Sequence, residues 1–169
     1  KTFFYILKRE NLIKVNPVAS VIRPKRLKKL PSFLEIKEIE SLLNSIPNVK
    51  LNDFRDRAII ELLYSTGIRV SELVSLNLDC YDKARSIIRV LGKGRKERIV
   101  PVGSYAIRAI ESYLIKRREK FGNQVIYPMF ISNKRTRISA RQVRRIINKY
   151  IKKIALQKKI SPHSIRHSF

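Results

Sequence analysis

The chain has 169 residues, 44% of them hydrophobic and 30% charged, which fits one ordinary folded core and excludes a wholly disordered chain. Lys and Arg number 38 against 13 Asp and Glu, a net charge of +25, so a polyanion is the expected partner and nucleic acid the first candidate. Cys80 is the single cysteine, which rules out an intrachain disulfide framework or thiolate metal cluster, and no apolar run approaches the roughly 18 residues of a membrane helix, so a reducing cytoplasm and no membrane partner are expected.

The charge is uneven. Glu119 is the last acidic residue, and positions 120 to 169 hold 13 Lys and Arg, so that half is expected to face phosphates. Charge alone does not separate an enzyme from a ribosomal-type RNA-binding module. From residue 1 to about Asn11, Phe3, Phe4, Ile6 and Leu7 mix with Lys8, Arg9 and Glu10, the pattern of an amphipathic helix whose packing partners lie upstream. Residues 1–23 therefore read as the remnant of a preceding domain. The chain starts at Lys1 and stops at Phe169 a turn or two into a helix, and both ends are expected to be cut. Residues 24–31 form a proline-rich basic linker in which Lys25 and Arg26 are candidates for backbone phosphates; a solvated tether is the alternative.

Ser32 with Glu35 predicts a capping box that opens the main domain, 32–169, and Ile36, Ile39, Leu42, Leu43 and Ile46 follow at helical spacing. Asp53 and Asp56 open a second helix in which Ala58, Ile59, Ile60, Leu62 and Leu63 are apolar all round, as a central core helix must be. Gly67 ends it. Arg69 and Glu72 then share a face beside buried positions, either as a functional pair or as a satisfied ion pair at a helix start. Residues 86 to 102 predict a hairpin with a basic tip that carries Lys93, Arg95 and Lys96. Gly103-Ser104 starts a scaffold helix that closes in Lys116-Arg117-Arg118.

Ser139 and Gln142 predict another cap, followed by the apolar stripe Val143, Ile146, Ile147, Tyr150, Ile151 and Ile154 with a basic face opposite it. Arg141, Gln142 and Arg145 on that helix suit base edges in a major groove; a helix held on phosphates alone is the alternative. At the end, Ser161 and Pro162 start a helix that projects His163 and Arg166 from one face, so that an imidazole and a guanidinium can meet one anion. The bland alternative is a basic surface helix start. The fold class predicted from these elements is α+β, mainly helical, with a small antiparallel sheet.

Taken in order and spacing, T-G-I-R-V-S-E-L, L-G-K-G-R-K-E-R and S-P-H-S-I-R-H-S-F resemble the tyrosine recombinase (phage integrase) family, most closely its Xer-type members. The N-P-V-A and L-P-S-F-L stretches look like that family too, so the resemblance covers nearly the whole chain. It implies a tyrosine-recombinase catalytic core at 32–169, preceded by the end of a helical core-binding (SAM-like) domain. It also implies double-stranded DNA as substrate, a tetramer of protomers on two DNA sites, and no metal or other cofactor. Carried over residue by residue, Arg69 and Arg166 would bind the non-bridging phosphate oxygens, with His163 as a third contact. Lys93 would protonate the departing 5′-oxygen, and Glu72 would stand beside the first arginine. The nucleophilic tyrosine would leave a 3′-phosphotyrosyl link that a second duplex resolves without ATP.

None of the seven tyrosines stands in the nucleophile's context, since all precede His163. The chain alone is therefore expected to bind duplex DNA without forming a covalent adduct. Type IB topoisomerase-like relaxation and DNA binding without catalysis are the two other readings.

Overall fold

Leu51–Thr66 (α3) is the helix against which the larger part of the chain packs. Ala58, Ile59, Ile60, Leu62 and Leu63 cover more than one side of it and are all fully buried. A helix apolar on every side has to be surrounded, and Ile36–Asn44 (α2), Val70–Ser75 (α4), Ser104–Phe121 (α5) and Ala140–Lys153 (α6) all pack against α3. The computed structural model describes residues 2–21, 34–92, 96–122, 127–154 and 165. Lys25, Arg26, Ser32, Lys93, Arg95, His163 and Arg166 lie outside the described residues.

The chain divides into two units, Lys1–Leu30 and Pro31–Phe169. In the first, Thr2–Arg9 (α1) buries none of its residues, and Phe3, Tyr5 and Ile6 are exposed. The second unit holds the core and is mainly helical, with one small sheet of three strands. Tyr81–Asp82 (β1), Ile87–Leu91 (β2) and Glu97–Pro101 (β3) pair antiparallel in the order β1-β2-β3, in a register that sets Val90 opposite Arg98 and Leu91 opposite Glu97. The expected hairpin is present. Its short third partner, β1, has no two-residue alternation long enough to be legible in sequence.

Helix starts follow a shared rule. In α2, α3 and α4 a carboxylate in the first turn reaches back to a backbone N–H: Glu35 donates to Glu38 Oε2 at 2.8 Å, Lys50 to Asp53 Oδ2 at 2.9 Å and Arg69 to Glu72 Oε2 at 2.7 Å. The first helix of the main unit thus begins with Glu35 and Glu38 as its cap pair, one turn later than the expected box of Ser32 and Glu35. Glu35 is itself the capping residue. Gly67 ends α3 at φ 56 and ψ 23, a left-handed conformation that a side chain would strain. In α6 the Ser139–Gln142 box forms as expected, with Ser139 N–H donating to Gln142 Oε1 at 2.8 Å and Gln142 N–H to Ser139 Oγ at 3.2 Å.

Two expectations change. Asp53 stands in the first turn of α3 as expected, but Asp56 lies further in, is 3% exposed, and accepts from Arg55 Nη2 at 2.8 Å and from Tyr150 Oη on α6 at 3.1 Å. The physical reason is its position on the α3 face that α6 covers. Likewise, α5 runs past Lys116-Arg117-Arg118 to Phe121, and Arg117 is buried, donating to the carbonyls of Pro128 and Met129, both at 2.8 Å. Arg55 donates in the same way to Ile131 O at 3.0 Å, and Arg137 to Val74 O and Leu76 O at the end of α4. Arg55 and Arg117 in this way supply donors to carbonyls of the irregular chain between α5 and α6, while Arg137 adds a second donor to Leu76 O beside Met129 N–H. Ile165, between His163 and Arg166 in the chain, is fully buried in the same core.

Candidate active site

Arg69 occupies the position just before α4, where the chain turns after Gly67, and its side chain is 54% exposed. Glu72, three residues on, is in the first turn of that helix and only 4% exposed. A buried carboxylate needs donors on both oxygens, and this one has four. Oε2 accepts from Arg69 N–H at 2.7 Å and Arg98 Nη2 at 2.9 Å, while Oε1 accepts from Arg69 Nη1 at 3.2 Å and Arg98 Nη1 at 2.8 Å. Burial pushes the Glu72 carboxyl up, but the bonds from Arg98 and from the Arg69 backbone outweigh it and hold the group at about 2, against an ordinary 4.5.

Folding therefore favours the charged form. That contribution to stability is complete above the ordinary value and is lost as pH falls from 4.5 toward about 2. Urea titrations across that window should show a falling midpoint, and Glu72→Gln should remove this part of the pH dependence. An unchanged slope in the glutamine variant would assign the acid sensitivity to other carboxylates.

One buried carboxylate thus serves two guanidiniums, each about half exposed. Arg98, which sequence reading did not single out, lies 26 residues from Glu72 in the chain, too far for any local pattern to pair them. The alternation of β3 carried a signal: Arg98 stands opposite buried Val90, on the inward face of the sheet, where an arginine requires a partner.

Of the other expected residues, Lys96 is exposed, and its carbonyl accepts from Gly92 N–H at 2.8 Å across the neck of the hairpin. Arg141 and Arg145 are exposed on α6, together with Arg144, Lys149, Lys152 and Lys153, opposite the buried stripe Val143, Ile146, Ile147, Tyr150 and Ile151. Gln142 is half-buried and its side-chain oxygen is engaged by the cap, which leaves Arg141 better placed for a two-point contact outside the helix. A polar groove of about 1020 Å³ runs beside α6, lined by Lys134, Arg145, Lys149 and Lys152 among others. Tyr113 and Tyr150 are fully buried, the first accepting from Ile131 N–H and the second donating to Asp56, and burial pushes both phenols up. Convergence of Lys93, His163 and Arg166 on Arg69 lies outside the described residues.

Helices packed around α3 and a small antiparallel sheet make up the larger unit, with Arg69 held by Glu72 at a helix start. The model of the phage integrase family matches residues 32–169, and the chain belongs to that family. It is 43% identical over 174 aligned positions to the tyrosine recombinase XerC of Syntrophus aciditrophicus (strain SB), covering all of this chain and 56% of that protein. Among solved structures, XerA recombinase matches with a TM-score of 0.72 at 35% identity, over 83% of this chain and 50% of that one. The XerH site-specific recombinase bound to difH substrate, a pre-cleavage complex, matches with a TM-score of 0.68 at 26% identity, over 83% and 42%. The chain thus spans a little over half the length of the curated relatives it matches.

Proposed function

We propose that this chain carries most of the catalytic domain of a Xer-type site-specific recombinase, which cuts and rejoins duplex DNA through a 3′-phosphotyrosyl intermediate. The observation that carries this reading is the half-exposed Arg69 guanidinium, fixed by a buried, ionised Glu72 at the start of α4. An open guanidinium on the surface, rather than one inside a closed cavity, suits the backbone phosphate of a polymer. Arg69 and Arg166 bind the non-bridging oxygens, His163 adds a contact, and Lys93 protonates the leaving 5′-oxygen. Lys25, Arg26, Arg95, Lys96 and Arg145 contact backbone phosphates, and Arg141 reads a base edge with Gln142 beside it.

On this reading, residues 1–23 end a core-binding domain, 24–31 form the linker and 32–169 belong to the catalytic domain. Four protomers act on two DNA sites in the cytoplasm. Similarity to Xer proteins, one of them captured on its DNA substrate, supports strand exchange over topoisomerase-like relaxation or binding alone.

DNA affinity should fall steeply with salt, as it does when Lys and Arg displace condensed counterions from about six to ten phosphates. Titrations of the chain against duplex DNA at two salt concentrations test this, and equal affinities would remove the DNA reading. Arg141→Ala should relax sequence preference more than it weakens non-specific binding. Uniform loss on all sequences would assign Arg141 to the phosphates.

A further inference from the structure

Arg69 has one side-chain bond to Glu72, at 3.2 Å, and a long half-exposed side chain with ample rotamer freedom. A carboxylate free to turn would not hold it. The plane of the Glu72 carboxylate is set instead by Arg98, whose two terminal nitrogens reach the two oxygens at 2.8 and 2.9 Å, a two-point fork. Once that plane is fixed, so are the directions from which Arg69 N–H and Nη1 must approach. Arg98 is also at the neck of the hairpin. A Cβ added at Gly92 would stand 3.4 Å from Arg98 Nη1 and 3.3 Å from Lys96 O, so the turn into the hairpin tip lies directly against this guanidinium.

We propose that Arg98 is a positioning residue that acts through the buried Glu72 carboxylate, clamping β3 to the start of α4 and fixing the Arg69 guanidinium relative to the hairpin. The proposal rests on reading Arg69 as a phosphate-binding residue of a recombinase, and it adds a residue to that site. The ionised Glu72 contributes to stability, but stability does not require that both of its oxygens be held by one planar fork. The specific gain is geometric, because a bidentate fork fixes orientation as well as distance.

The test uses this chain and two readouts that need no cleavage: the Glu72 carboxyl titration by carbon NMR and the Arg69 Nε–H signal by nitrogen NMR. Among the described residues, the charged groups acting on Glu72 are Arg98 from β3 and Arg69 at its own helix start. In Arg98→Met the Glu72 titration should move up toward the ordinary carboxylate range, and the Arg69 signal should broaden while the backbone amide spectrum stays dispersed. Arg98→Lys keeps the charge but not the fork, and should recover the titration more fully than the order of Arg69.

An unchanged Arg69 signal in Arg98→Met overturns the proposal. So does wild-type Arg69 order in Arg98→Lys, because charge would then suffice; that variant also decides the matter if the methionine variant fails to fold. When the chain is joined to a Xer C-terminal segment, Arg98→Met should slow cleavage on the order of tenfold to a hundredfold at saturating DNA, with little change in affinity. A wild-type protein that forms no adduct would overturn the recombinase reading and leave the clamp to be decided by the two NMR signals.

Discussion

Arg69→Ala should lower the single-turnover rate of covalent adduct formation by on the order of a hundredfold to a thousandfold, the loss expected when one donor to a developing anionic charge is removed. The measurement is made on nicked suicide DNA, with this chain joined to the C-terminal segment of a Xer relative that supplies the tyrosine. DNA affinity should change far less, because one phosphate contact among many is lost from the ground state. Arg69→Lys should recover only part of the rate, since an ammonium replaces the charge but not the planar two-point geometry. A rate unchanged in the alanine variant would remove Arg69 from the reaction. A loss of affinity as large as the loss of rate would make it a binding residue only. Because Glu72 holds Arg69 by its backbone N–H as well as by its side chain, the start of α4 should survive the substitution, and the amide spectrum checks that it does.

Asp56→Ala should destabilise the fold by about 3–5 kcal/mol, as measured by urea denaturation, since it leaves the buried Arg55 guanidinium without its carboxylate. Arg55 keeps its bond to Ile131 O, so it cannot turn out to solvent without also releasing the segment that leads into α6. The Tyr150 hydroxyl would lose its acceptor as well. The double variant Arg55→Met, Asp56→Leu should recover only part of the loss, because it removes both desolvated charges together but leaves the Ile131 carbonyl without its donor and the Tyr150 hydroxyl without its acceptor. A single variant within about 0.5 kcal/mol of wild type would show that water reaches this cluster and satisfies the arginine.

Among the described residues, local chemistry in the sequence was sufficient to place the helices of the larger unit and the hairpin, though not every helix end. The fully buried run Ala58, Ile59, Ile60, Leu62 and Leu63, the left-handed Gly67, the Ser139–Gln142 cap, the stripe of α6 and the strands on either side of Gly92 each depend on residues within a few positions of one another. Spacing of this kind is set by the 3.6-residue and 2-residue repeats of the backbone, and a chain carries it openly. The pairing of Arg69 with Glu72 was legible for the same reason, being a contact across one helical turn.

What only the tertiary structure decided is where the remaining charges go. Arg98 meets Glu72 across 26 positions, Arg55 meets Ile131 across 76, and Asp56 meets Tyr150 across 94. Charged side chains are ordinarily solvated, so composition and periodicity assign them to the surface by default. Arg55, Asp56 and Glu72 are buried here, and Arg98 is drawn onto Glu72 while 40% exposed, because folding around α3 brings α6, β3 and the segment after α5 against carbonyls and carboxylates that need donors; only the assembled core determines which arginine stands opposite which oxygen.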